Sequence, residues 1–308
     1  MKKGKAAKEP AGKNTPTRRQ KVLFFCACNA VRSQMAEGFV KALYGDSLLS
    51  EQLVLKGGNA LALAYRVGGR TSLDLDFSIE GDFDDLPEIS VRMERALTEA
   101  FSAAGIRLFD FQLESRPKGP VSDWWGGYSA EFKLMPESRA RELGQSVDEM
   151  RRQALTIDPG SQRRKYTVEI SKHEFCGDKR LQRIDDFGVR VYSPLLLAAE
   201  KLRALLQQHP DYPQIDLRKK RSRARDLYDI WVISDHFSIR LEMNLATVRS
   251  VFGRSTWTSA CSRSFLTFAH FIWLAGRTWN WQSAGRSRAS NSILSSWPPR
   301  LGVYTPSG

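Results

Sequence analysis

Residues 53–78, LVLKGGNALALAYRVGGRTSLDLDFS, contain the two features that decide the fold. Gly57 and Gly58 come directly before an apolar segment with helical periodicity. The free N–H groups of a first helical turn can approach a phosphate group there, because glycine has no Cβ in the way. Asn59 can cap this helix and add a side-chain donor. The stretch therefore predicts a phosphate-binding turn at the start of a helix.

Asp74 and Asp76 follow in TSLDLDFSI (71–79), which alternates polar and apolar residues as a half-buried strand does. Side chains alternate along a strand, so the two carboxylates share one face while Leu75 and Phe77 fill the other. Close carboxylates repel each other unless a cation lies between them, and Mg²⁺ prefers oxygen ligands together with phosphate oxygens. A phosphate cradle beside a carboxylate pair is what nucleotidyl transfer from an NTP requires.

Each feature alone has a simpler explanation. A Gly-Gly pair before a helix is common, and an Asp-x-Asp pair at a strand edge is more often two solvated side chains. Their occurrence together, one shortly after the other, favours the functional interpretation.

Hydrophobic patterns on both sides of this stretch predict an α/β fold. We expect a nucleotidyltransferase-like mixed sheet with flanking helices from about residue 50 to 190, then a helical C-terminal region to about 240. Helices are predicted at 33–45, from Gly57, from Pro87 to about Gly105, at 193–209 and at 223–235, and strands at 22–26, 71–79, 106–114, 128–135 and 165–171.

The formal net charge of +13 comes from the two ends of the chain. Residues 1–21 hold eight Lys or Arg and one acid, 243–308 hold seven Arg and no acid, and 22–242 hold 32 basic and 33 acidic residues. We therefore predict a disordered basic arm at 1–21, a short strand-loop-helix fragment at 22–48, the main domain at 49–242, and an atypical Ser/Arg/Trp-rich tail at 243–308, outside the catalytic core.

No stretch of the sequence is long and apolar enough for a membrane span, and the first residues lack a secretory signal. The four cysteines are too few and too irregularly spaced for a disulfide framework. These features predict a cytoplasmic protein with reduced thiols and no membrane partner.

Four segments together resemble one known family. KGGNAL and GRTSLDLDF look like the nucleotide-site signature of the AbiEii/AbiGii nucleotidyltransferase toxins, which belong to abortive-infection and type IV toxin-antitoxin systems. YSPLLLAAEKLRAL and ARDLYDIW resemble that family's Glu-Lys-Leu helix and Arg-Asp-x-x-Asp element. All four occur in the family's order over about residues 50–240.

The resemblance implies transfer of a nucleotide from an NTP to RNA, with tRNA as one candidate, by a Mg²⁺- or Mn²⁺-dependent toxin that has a cognate antitoxin. It assigns the phosphate side to Gly57, Gly58, Asn59 and Arg70, the metal to Asp74 and Asp76, the triphosphate to Lys201, and the acceptor or the general base to Asp226, with Asp229 nearby. Without the resemblance, Lys201 would be a snorkelling helix-edge residue, and the two helix acids would be solvated. For a third carboxylate, the candidate is Glu169 and the alternate Glu131.

A second pattern competes at the N-terminal side. Cys26, Arg32 and Ser33 have the Cys-x5-Arg-Ser spacing of a thiolate phosphate loop, and VLFFCACNAVRSQMAEGF resembles low-molecular-weight tyrosine phosphatases and arsenate reductases. Cys26 would be the nucleophile and Arg32 the oxyanion-binding residue. The resemblance stops near Tyr44, before the downstream general acid. A truncated phosphatase or reductase, or a degenerate and non-catalytic fusion product, are therefore the alternatives to the transferase.

Overall fold

Seven strands and their surrounding helices make up the part of the chain that the computed structural model describes, residues 29–67, 74–118, 126–144, 146–157, 162–207 and 223–252. The strands are β1 (Val54–Lys56), β2 (Leu75–Ser78), β3 (Ile106–Arg116), β4 (Gly127–Pro136), β5 (Tyr166–Ser171), β6 (Lys179–Ile184) and β7 (Phe187–Tyr192). The helices are α1 (Asn29–Tyr44), α2 (Ser47–Gln52), α3 (Gly57–Asn59, continued by a π-helical turn at Ala60–Ala64), α4 (Leu86–Ala103), α5 (Glu137–Glu142), α6 (Val147–Gln153), α7 (Pro194–Leu206), α8 (Ala224–His236) and α9 (Leu245–Phe252).

The seven strands form one mixed sheet in the order β3-β4-β5-β2-β1-β7-β6. β2 pairs with β1 in the antiparallel direction and with β5 in the parallel direction, and β1 pairs with β7 in the parallel direction. The outer pairs β3-β4, β4-β5 and β6-β7 are antiparallel. The predicted α/β class and mixed sheet are confirmed.

One face of the sheet is apolar and packs against α1 and α4. The ring of Phe39 on α1 has its centroid 4.7 Å from that of Phe101 on α4 and 5.4 Å from that of Phe132 on β4. Leu75 and Phe77 of β2 are 2% and 0% exposed, as the predicted alternation requires. Helix α1 is therefore part of the core, because its aromatic side chain fills the space between α4 and the sheet.

The opposite face of the sheet is polar and only partly covered. Helix α7 packs against β7 and against α8, while α5 and α6 pack against β4 through a small cluster of Met135, Ala140 and Met150. The polar side chains of β2, β5 and β4 lie on this face between the two groups of helices. The carboxylates predicted for the site belong to this face.

Several elements agree with the sequence patterns and others do not follow from them. The helices predicted from Pro87, at 193–209 and at 223–235 are present as α4, α7 and α8. The patterns gave no indication of α5, α6, β6 or β7. Strand β6 is an edge strand with mostly exposed residues, so it lacks the apolar alternation that identifies a half-buried strand. The predicted strand at 22–26 lies outside the described residues.

Two elements outside the predicted 49–242 range pack on the same core. Helix α1 does so as above, and α9 buries Val248, Val251 and Phe252. Arg203 on α7 donates from Nη1 to the carbonyl oxygen of Val251 at 2.7 Å. The predicted basic arm and most of the atypical tail lie outside the described residues. None of the described helices is long and apolar enough to cross a membrane.

Candidate active site

The turn between β1 and α3 lies directly against the carboxylate of Asp76. Lys56 at the end of β1 is the register partner of Asp76 on β2, and Gly57 follows with φ +68°. A Cβ at Gly57 would be 2.5 Å from Asp76 Oδ2, which is closer than any side chain allows. Only glycine satisfies both the left-handed backbone and this contact. The predicted phosphate turn and the predicted metal-binding pair are therefore neighbours in space.

Asn59 has a different role from the predicted helix cap. It makes no capping hydrogen bond. Its side chain is 0% exposed, and Nδ2 donates to the carbonyl oxygen of Asp74 at 2.9 Å. Asn59 thereby holds the backbone that carries the first aspartate. The predicted cap is wrong because the sequence does not reveal where the side chain of a helix N-terminal residue points.

The predicted carboxylates lie on adjacent strands of the polar face. Asp76 is the register partner of Glu169 on β5, and paired residues on neighbouring strands point to the same side. Asp74 lies just before β2, is 45% exposed at its side chain, and has Arg163 Nη2 at 3.4 Å from Oδ1. Glu131, the alternate third carboxylate, is one strand further away on β4 and forms ion pairs with Arg116 and Lys165. Glu169 is therefore the nearer of the two candidates to Asp76.

The electrostatic environment of Asp76 opposes its ionisation. Burial raises the pKa of this carboxyl from 3.8 to about 7; Lys56 acts in the opposite direction, and the negative charges of Glu200, Glu169 and Asp74 add to the increase. A carboxyl group in these surroundings gains from a nearby cation. Two of the three acidic neighbours that raise its pKa, Glu169 and Asp74, are predicted site residues.

Lys56 and Glu200 form a buried ion pair beside Asp76 that the sequence patterns did not indicate. Lys56 Nζ lies 2.7 Å from Glu200 Oε1 on α7 and 3.0 Å from Ser171 Oγ, and the two charged side chains are 9% and 19% exposed. Burial alone would lower the pKa of Lys56, but the carboxylates of Glu200 and Glu174 outweigh it and raise the pKa. The one signal available in the sequence was a lysine at the end of the short apolar stretch 53–55.

Lys201, Asp226 and Asp229 form a second group between α7 and α8. Lys201 Nζ lies 3.2 Å from Asp226 Oδ1 and 2.7 Å from Asp229 Oδ2, and Arg223 Nη1 lies 3.1 Å from Asp226 Oδ2. Burial lowers the pKa of Lys201, but the two carboxylates outweigh it, so that the pKa is raised and the lysine stays charged. These three predicted residues are thus brought together by helix packing.

Helix α7 connects the two groups. Glu200 contacts Lys56 beside Asp76, and the next residue, Lys201, contacts α8. Within the described residues there is no group of three Asp, Glu, His or Cys side chains arranged to hold a metal ion. Arg70, predicted on the phosphate side, lies outside the described residues.

Comparison with known protein families agrees with this geometry. The model of the nucleotidyl transferase AbiEii toxin family, a type IV toxin-antitoxin system, matches residues 41–264. The chain belongs to this family. It is a nucleotidyltransferase toxin of the AbiEii type.

One solved structure is also similar to the chain over most of its length. The crystal structure of an antigenic nucleotidyltransferase-like protein from Paracoccidioides brasiliensis matches with 15% sequence identity and a TM-score of 0.35, covering 78% of this chain and 92% of that one. A search among curated proteins found no match.

The predicted thiolate phosphate loop is not borne out. The AbiEii match begins at residue 41. Helix α1 starts at Asn29 and includes Arg32 and Ser33, and its later residues pack on the core of the AbiEii-type chain. Cys26 lies outside the described residues. The resemblance to the phosphatases and reductases comes from one short stretch of sequence. The helical part of that stretch belongs to α1, which packs on the core of this AbiEii-type chain.

Proposed function

We propose that this AbiEii-type toxin transfers a nucleotide from an NTP to an RNA acceptor, with tRNA as one candidate, and that it does so with Mg²⁺ or Mn²⁺. The observation that carries the proposal is the contact between Gly57 and the carboxylate of Asp76. This contact brings a turn suited to phosphate next to a carboxylate suited to a cation. In a cytoplasmic setting, a cognate antitoxin protein would restrain this activity.

Asp74 and Asp76 are the residues that would hold the metal. Their oxygen atoms are the donors that Mg²⁺ prefers, and Mg²⁺ commonly takes one or two carboxylates together with waters and substrate phosphates. Burial and the neighbouring carboxylates raise the pKa of Asp76 more than Lys56 lowers it, so an added cation would favour the ionised carboxylate. When bound, the metal would neutralise the charge that develops on the phosphates. Glu169, beside Asp76, is the proposed third carboxylate.

The triphosphate would lie on the β1 side of the aspartates. Backbone N–H groups at Gly57 and Gly58 can approach phosphate oxygens closely, because neither residue has a side chain to block them. Asn59 supports this turn indirectly through its hydrogen bond to Asp74. Lys201 and Arg70 are the cations that we assign to the triphosphate, and the shared contacts of Lys201 with two carboxylates keep it charged.

For Asp226 we propose a positioning role. Both of its carboxylate oxygens accept from cations, Oδ1 from Lys201 and Oδ2 from Arg223. Both oxygens are thus occupied by cations, and neither is presented to an acceptor hydroxyl. Asp226, with Asp229, would therefore orient Lys201 rather than take a proton from the acceptor.

A transfer assay tests the proposed function. The wild type, Asp74→Ala, Asp76→Ala, Cys26→Ser and Asp84→Ala are each given the four labelled NTPs with total RNA and Mg²⁺ or Mn²⁺. Asp84 is an exposed aspartate close to β2 in the sequence and serves as the matched control. We expect label on RNA with the wild type, Cys26→Ser and Asp84→Ala, and none with the other two variants.

The same proteins are offered a generic phosphate ester and, separately, arsenate with a reductant. Activity that only Cys26→Ser abolishes would refute the transferase and support the thiolate site. Absence of every activity in the wild type would favour a degenerate product.

A further inference from the structure

A recess of about 220 Å³ opens on the polar face of the sheet. Its lining includes Asp110, Glu131, Lys133, Arg151 and Lys165, from β3, β4, α6 and the segment before β5. None of these residues belongs to the nucleotide site proposed above. The recess is distinct from the turn at Gly57, because it lies on the opposite side of β2.

The recess and the aspartate pair share one face of the sheet. Asp76 is the register partner of Glu169, which in turn is the partner of Ser129 on β4. Glu131 is two residues from Ser129 on the same strand and therefore points to the same side. With strands about 4.8 Å apart and about 6.8 Å between alternate residues, Glu131 lies about 12 Å from Asp76.

Arg163 connects the two places. Its guanidinium group is 3.4 Å from Asp74 Oδ1, and it donates to Thr167 Oγ1 at 2.8 Å. Thr167 is the register partner of Glu131. A row of polar and charged groups, which we call the basic row (Arg163, Thr167, Glu131 and Lys165), thus runs from the aspartate pair across β5 and β4 to the recess.

Cations outnumber carboxylates around the recess. Asp110 is shared by Lys133 and Arg151, at 2.9 and 2.8 Å, and Glu131 is shared by Arg116 and Lys165, at 3.0 and 2.8 Å. One of each pair can turn towards an added anion while the other still neutralises the carboxylate. The hydrogen bond from Arg151 lowers the pKa of Asp110 to about 2, and the one from Lys165 lowers the pKa of Glu131. The carboxylates therefore stay ionised at neutral pH.

Several of these cations remain accessible to solvent. The side chains of Arg116, Arg151 and Lys165 are 46%, 50% and 57% exposed. They extend over three strands and α6, or about 10 Å across the sheet. That span exceeds a single phosphate group, so the arrangement fits a polyanion.

The geometry of the proposed reaction indicates which polyanion binds here. In nucleotidyl transfer, the attacking and leaving oxygens lie on opposite sides of the reacting phosphorus. With the triphosphate on the β1 side of the aspartates, the acceptor comes from the β5 side, where the basic row lies. We propose that the recess and the basic row bind the phosphodiester backbone of the acceptor RNA. This inference rests on the proposed function, which supplies the position of the triphosphate.

Salt-dependent RNA binding by the full chain tests the proposal. The probe is a labelled single-stranded RNA oligonucleotide, and the variant is Arg151→Gln/Lys165→Gln. The control, Arg95→Gln/Arg183→Gln, removes two ion-paired arginines with 57% and 78% exposed side chains on α4 and β6. The charged chain ends are the same in all three proteins. Because each phosphate contact contributes about 0.7 to the slope of log K against log salt, we expect the variant's slope to fall by about 1.4 and the control's to stay unchanged.

Two further measurements separate this proposal from the proposed function. RNA containing 4-thiouridine is photo-crosslinked to the wild type, and we expect crosslinked peptides within residues 107–165. Crosslinks confined to residues 1–21 or 253–308, or an unchanged salt slope, would overturn the recess as the acceptor surface even if nucleotide transfer is observed. If the wild type transfers no nucleotide but the salt slope of RNA binding still falls in Arg151→Gln/Lys165→Gln, the result would support the RNA-binding surface and count against the proposed transfer to RNA. NTP affinity, measured on the same variant, should not change.

Discussion

The Cα of Gly57 lies against the carboxylate of Asp76, so that a methyl group on Gly57 would come within 2.5 Å of Asp76 Oδ2. Gly57 directly follows β1 and Asp76 lies on β2, and the antiparallel β1-β2 pairing brings them together. The contact leaves no room for a side chain between the proposed phosphate turn and the carboxylate that we propose as a metal ligand. Substitution of this glycine is therefore the most direct way to disturb both.

Gly57→Ala should abolish nucleotide transfer and weaken metal-dependent NTP binding, because the new methyl group displaces the Asp76 carboxylate or the turn. Gly105→Ala is the matched control: Gly105 has φ +73°, and no atom lies within 4 Å of its added Cβ. Both variants carry the cost of a left-handed alanine, about 1–2 kcal/mol, and Gly57→Ala carries the contact with Asp76 in addition, so its thermal stability should fall further. Equal activity in the two variants would mean that the contact with Asp76 is unimportant.

Asp76 should make the metal-free protein less stable as the pH rises. Folding raises the pKa of this acid, so its contribution to stability is complete below pH 3.8 and is lost as the pH rises through about 7. In EDTA, Asp76→Asn should therefore raise the melting temperature relative to the wild type by more at pH 8 than at pH 5.

Added Mg²⁺ should reverse this order at pH 8, because a ligand stabilises only the protein that binds it. Asp84→Asn, at an exposed position, is the control for the loss of one carboxylate. The same difference in melting temperature at both pH values would count against the buried environment of Asp76.

Breaking the pair between Lys56 and Glu200 should destabilise the fold. Lys56→Met leaves Glu200 buried without its partner at 2.7 Å, and the loss of one member of a buried pair costs about 3–5 kcal/mol. Denaturant unfolding of Lys56→Met, Glu200→Gln and the double variant measures the coupling. We expect the double variant to be more stable than the sum of the single losses predicts. Additive losses would show that the two charges do not depend on each other.

The roles of Lys201 and Asp226 can be separated by steady-state kinetics. If Asp226 orients Lys201, Asp226→Asn and Lys201→Gln should both raise the KM for NTP by about tenfold, which corresponds to about 1.4 kcal/mol. The pH profile of kcat should stay as in the wild type. Asp235→Asn, at an exposed position on α8, is the control. A large fall in kcat with an unchanged KM for Asp226→Asn alone would instead identify a general base.

The end of the folded core should lie beyond α9. A chain that ends at residue 264, where the family match ends, keeps the buried Val248, Val251 and Phe252 and should melt like the full chain. A chain that ends at residue 244 loses these side chains and the partner of Arg203, and it should be strongly destabilised. Thermal melts of the two chains decide this, and equal melting temperatures would place α9 outside the core.

The sequence by itself determined the fold class, the family and the local parts of the site. The glycine pair before a helix and the alternation of Asp74, Leu75, Asp76 and Phe77 can be recognised because side-chain direction repeats over two residues in a strand. The pattern on 193–209 likewise identified the helix that carries Lys201. These features depend on neighbours in the chain, so a single sequence is enough to find them.

Only the tertiary structure decided which distant residues meet. The pairing of Asp76 with Glu169, the ion pair of Lys56 with Glu200, and the hydrogen bond from Asn59 to Asp74 depend on strand register and on helix packing. Register is set by the burial of whole apolar faces against α1 and α4, to which many residues contribute together. This packing also sets the position of each polar residue on the other face. The residues next to it in the sequence therefore do not identify its partner.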